Sequence, residues 1–95
     1  MQYPERRTGP LVMLTSVAQP VGANEPARQT AADVLLSDGS WEAATVLAWH
    51  RLAQPEMQAL TGHRIEWLVR LRLADGTESW HQYVSSCLRQ HDEPI

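Results

Sequence analysis

Leu36-Ser37-Asp38-Gly39-Ser40-Trp41 and, thirty-odd residues on, Leu73-Ala74-Asp75-Gly76-Thr77 decide the fold class of this chain. Each Asp-Gly lies between runs rich in Val, Leu and Trp, the strongest short-range signal for a tight turn between antiparallel strands. Gly39 and Gly76 accept the positive φ that a primed turn needs, and the Asp before each tolerates it. Two hairpins in 95 residues point to one all-β domain.

Outward from the turns, Ala32–Ser37 reads as one strand and Trp41–Arg51 as the next. The second has apolar residues in both alternate sets: Ala44, Val46 and Ala48 in one, Trp41, Leu47 and Trp49 in the other. A strand curled in a small barrel, its outer face partly covered, has this composition. Ile65 to Leu73 alternates most clearly, with Ile65, Trp67, Val69, Leu71 and Leu73 on one side and Arg70 and Arg72 on the other. A fourth strand is expected from Thr77 to Tyr83, then a 3₁₀ link at Val84-Ser85-Ser86 and a closing strand at Cys87-Leu88-Arg89. Between the hairpins, Pro55, the Met57/Leu60 spacing and Gly62 suggest a helical turn.

The N-terminal third differs in composition. Residues 1–10 carry Pro4, Gly9 and Pro10 without periodicity, and Gln19–Thr30 is rich in Pro, Ala and Gln, too poor in apolar surface to offset its ordering entropy. Residues 1–30 therefore read as a flexible arm or linker, in which Leu11–Val17 is apolar enough for one short docking strand. Residues 31–90 form the expected barrel domain, and 91–95 a loose tail.

Five short strands, a 3₁₀ turn before the last, and the pattern Asp38-Gly39-x-Trp41-x-x-Ala44-x-Val46 resemble the SH3-like small barrels, the Tudor group in particular. Trp67–Leu73, Tyr83 and Leu88 extend the match over roughly the last two-thirds of the chain. The chain also resembles small proteins of GC-rich bacteria that combine a Trp-x-x-Ala-x-Val strand with a terminal Leu-Arg. The resemblance implies an all-β, five-stranded SH3-like (Tudor-like) barrel and a binding role. Two positions that carry cage aromatics in methyl-reading relatives fall near Leu35 and Glu42, so that cage is not carried over; Trp41, Trp80 and Tyr83 are left to form another pocket.

Composition narrows the function classes. All eight cations are Arg, and the net charge of −3 works against non-specific nucleic-acid binding. Cys87 is alone, which excludes an intramolecular disulfide and fits a reducing, cytoplasmic setting. No run of about 18 apolar residues suggests a membrane span. His50, His63, His81 and His91 match no zinc spacing, and Cys87 with His81 lacks an activating third group. The sequence thus implies no cofactor, no metal and no enzyme. Arg70 and Arg72 share one face of a strand, with Arg64 on the same side by parity. They form either a ladder for an acidic partner or cross-strand pairs with Glu78 or Glu42. The candidate partner-binding residues are Arg70, Arg72, Arg64, Trp80, Tyr83 and Trp41. The function expected is a non-catalytic protein-interaction module. The alternatives are a nucleic-acid-associated SH3-like domain using a local Arg patch and, more remotely, a small metal-dependent or Cys-based enzyme.

Overall fold

A computed structural model describes residues 10–22, 25–57, 62 and 64–91. It contains six strands: β1 (Ser16–Val17), β2 (Glu25–Leu35), β3 (Trp41–Met57), β4 (Arg64–Leu73), β5 (Glu78–Gln82) and β6 (Leu88–Gln90). A 3₁₀ turn at Ser85–Cys87 introduces β6, one residue later than the link expected at Val84–Ser86. All pairings are antiparallel, in the order β1-β5-β4-β3-β2-β6. No helix among the described residues is long and apolar enough to cross a membrane.

Among the described residues the chain is all-β, but the sheet has six strands rather than five and is not closed into a barrel by strand pairing. Two boundaries also differ from expectation. β2 begins at Glu25, inside the stretch assigned to the linker, and β3 continues through Pro55 to Met57, where a helical turn was expected. Pro55 is tolerated because the β3–β4 pairing is irregular between Arg51 and Glu56, so the missing N–H removes nothing from the ladder. The remainder of that turn at 58–61, the expected disorder of residues 1–9 and the tail beyond His91 lie outside the described residues.

Both Asp-Gly turns form, with the same bonds. The Gly39 N–H donates to Leu36 O (2.9 Å) and the Leu36 N–H to Ser40 O (2.8 Å); Gly76, Leu73 and Thr77 repeat this at 2.9 and 2.8 Å. Gly39 and Gly76 have φ of 87° and 88°, whereas no non-glycine described has positive φ. A primed turn would require Asp in that region too. The turns are instead three-residue hairpin loops with one left-handed glycine. Asp38 and Asp75 act through their carboxylates, which accept the N–H of Ser40 and Thr77, both at 2.9 Å.

β3 carries a bulge that decides which side chains meet. Its register to β4 passes from Val46↔Leu71 to Ala48↔Arg70, leaving Leu47 as the extra residue. Trp49 then pairs with Val69 and joins the face of Val46 and Leu71. The main core lies on that face: Val34, Val46, Val69 and Leu71 are essentially inaccessible, with Ala32, Ala44, Leu88 and Leu14 beside them. A second cluster of Ile65, Leu68 and Trp80 is flanked by Val17, Ala48 and Leu52.

Residues 11–17 touch both ends of the sheet. At one end the Met13 N–H donates to Leu35 O (2.9 Å) and the Ser37 N–H to Leu11 O (2.7 Å), around the bridge Val12↔Leu36. At the other, Ser16 and Val17 pair with His81 and Trp80, and the Gln82 N–H donates to Thr15 O (2.9 Å). Between these contacts Leu14 enters the core, 2% exposed.

Candidate partner-binding surfaces

The β3 bulge brings three aromatic rings to one corner of the sheet. Trp49 meets Trp67 edge-on, centroids 6.1 Å apart, and Tyr83 edge-on at 5.1 Å, both interplanar angles being 85°. Such T-shaped contacts set the positive ring edge against the negative face of its neighbour. Arg51 pairs directly with Trp67 across β3 and β4, and its guanidinium carbon lies 5.8 Å from the indole centroid. The Tyr83 N–H donates to Trp67 O (2.9 Å), which fixes the chain after β5 against β4. A pocket of about 180 Å³ opens beside the rings, lined by Arg64, Glu66, Trp67, Tyr83, Val84 and Ser85. Arg64 and Glu66 are 3.7 Å apart at its wall, and both are more than half exposed.

Arg70 and Arg72 do project to solvent, and both are paired. Arg70 Nη2 donates to Glu78 Oε1 (3.0 Å) and Arg72 Nε to Glu78 Oε2 (3.1 Å), so two cations share one carboxylate. This is the cross-strand alternative, with Glu78 as the partner in register with Arg72. The same face carries Trp80 opposite Arg70, and Trp80 is 6% exposed because Val17 of β1 and Leu52 pack over its cluster.

The six candidate residues therefore do not form one site. Arg64 and Tyr83 meet at the aromatic corner. Arg70, Arg72 and Trp80 belong to the opposite face. Trp41 lies elsewhere, with the Arg89 guanidinium 3.8 Å from its ring centroid. Trp49, Trp67 and Arg51 complete the corner and were not singled out as candidates. Their signal was the cross-strand position of Trp67 relative to Trp49, legible only once the bulge at Leu47 is known.

His81 is the one buried polar residue described, 4% exposed. Its Nδ1 lies 3.3 Å from Leu14 O and its Nε2 2.8 Å from Ser79 Oγ. With Nδ1–H donating to the carbonyl, Nε2 accepts from the hydroxyl, and burial holds the imidazole pKa below its ordinary 6.5. His91 bonds Asp33 at 2.8 Å and ties the end of β6 to β2. Cys87 is partly buried against the main core. No group of three or more His, Cys, Asp or Glu among the described residues could hold a metal ion. No family model, curated protein or solved structure matches the chain.

Proposed function

We propose that this chain is a non-catalytic protein-interaction module of SH3-like type whose contact surface is the corner of Trp49, Trp67 and Tyr83 with Arg51 and Arg64. The observation that carries the reading is the concentration there of Trp, Tyr and Arg, the residue types enriched in interface hot spots. The rings are rigid, half-buried and bordered by a carboxylate and guanidinium groups, an arrangement suited to a peptide that presents an apolar side chain and a neighbouring charge. The SH3-like relation is supported by the four-strand meander β2–β5, the 3₁₀ turn, and the return of β6 to pair with β2.

Affinity capture from the source organism tests the reading, with three baits whose fold is checked by circular dichroism. Trp67→Ala and Arg64→Glu should each lose a partner that the unaltered chain and the Arg70→Glu/Arg72→Glu chain retain. Loss confined to the Arg70/Arg72 bait would move the site to the opposite face. Capture unaffected by all three would refute the reading.

A further inference from the structure

We infer that the aromatic corner takes an acidic peptide segment. One apolar side chain of the segment enters the pocket beside Trp67 and Tyr83, and a carboxylate next to it along the segment binds Arg51. The inference rests on the corner being the contact surface, and adds the sign of the charge that the partner brings to it.

The dimensions of the pocket select a side chain. About 180 Å³ is less than the roughly 300 Å³ at which sites for drug-sized ligands begin, so it holds one residue of an extended segment. Trp67, Tyr83 and Val84 give it apolar walls, and Trp49 holds two of those rings by edge-on contacts, so little order is lost on binding.

The charges beside the pocket select an anion. Arg64 and Glu66 approach only to 3.7 Å, beyond hydrogen-bond distance, and both are well exposed, so their mutual attraction is weak. Arg51 has no carboxylate partner among the described residues; the contact it makes is with the Trp67 ring. Glu56, opposite Ile65 near the end of β3, pairs with neither arginine. The contrast is with Arg70 and Arg72, whose charges meet at Glu78 within the chain. A guanidinium lying over an indole is restrained in position without using its N–H groups, so all five donors of Arg51 stay available to a planar carboxylate. Arg51 and the pocket share Trp67: the guanidinium lies over its ring, and the same residue lines the pocket. A basic segment would set its cation beside two guanidinium groups with Glu66 alone to meet it. The whole chain carries −3, which repels a polyanion at long range, so the preference is local and favours a short acidic segment over nucleic acid.

The experiment titrates the ¹⁵N-labelled full chain with acetyl-Glu-Leu-Glu-amide and follows the indole N–H signals of Trp49 and Trp67 and the Tyr83 amide by NMR. These should shift saturably. The Gln-Leu-Gln analogue should bind about ten-fold more weakly, as when a charged hydrogen bond is lost, Lys-Leu-Lys more weakly again, and Glu-Ala-Glu about ten-fold more weakly than the parent. In Arg51→Gln the preference for Glu over Gln should fall to within about two-fold while the preference for Leu over Ala remains; the spectrum itself reports the fold. Binding at the corner with equal affinity for all three charge types, or tightest for Lys-Leu-Lys, would overturn the inference and leave the corner as the contact surface. Tighter binding of a thymidine hexanucleotide at the same signals would overturn the assignment to a peptide. Shifts confined to other residues would overturn the inference and the choice of corner together.

Discussion

At Gly39 and Gly76 a Cβ would meet no atom within 4 Å, so a side chain there is opposed by backbone conformation alone. Gly76→Val should cost about 1–3 kcal/mol, read as a shift of the urea midpoint at unchanged slope. A parent-like midpoint would mean that the loop has another conformation. His81 is the other residue whose environment sets a measurable property. Burial lowers its pKa in the folded state, so below about pH 6.5 the unfolded chain takes up a proton that the folded chain refuses. Stability should therefore fall as the pH drops through that value and level off below the folded pKa. His81→Leu should remove this part of the slope in melting temperatures measured across the range. The Asp-Gly turns were legible because two residue types at fixed positions determine them. The turn type was not, because Asp tolerates positive φ but here stays out of it, and its carboxylate bonds the N–H two residues on.

Among the elements, β4 was the most legible. Alternation places Ile65, Val69 and Leu71 in fully buried positions and Arg70 and Arg72 outside, while Leu68, on the arginine side by parity, is buried as well, in the cluster with Trp80. β3 was legible only as far as Val46. Beyond it the bulge at Leu47 inverts parity, and no periodic pattern survives to show that Trp49 sits beside Tyr83. Its last residues also carry a helical signal, because Pro55 suits a first helical turn as well as an irregular strand. The candidate site suffered most from this, since Trp49 reaches the aromatic corner only through the bulge. The β4–β5 ion pairs allow a direct check. Arg70, Arg72 and Glu78 side chains are each more than a third exposed. Glu78→Gln should cost less than about 1 kcal/mol in low salt, and the cost should shrink as salt screens the pairs. A larger, salt-independent loss would show that the carboxylate is held as an internal structural group.

For the molecule as a whole, the decisive element is the one that sequence patterning described least. Leu11–Val17 has no strand alternation and only two residues in a regular strand, yet it contacts both ends of the sheet and places Leu14 in the main core. Its apolar character was visible; its partners, more than twenty residues away along the chain at one end and more than sixty at the other, were not. Leu14→Ala should cost about 2–5 kcal/mol, the range for emptying a buried leucine site, measured by chemical denaturation. That is a large share of the stability of a domain this small. The account rests most directly on the docking of this segment, and amide hydrogen exchange reads it bond by bond. The Met13, Ser37 and Gln82 N–H groups, which donate to Leu35, Leu11 and Thr15, should exchange many times more slowly than the exposed amides of Ala18 and Val21. If those three amides exchange as fast as Val21 while Val69 and Leu71 remain protected, the segment is not docked, and the sheet architecture described here is contradicted.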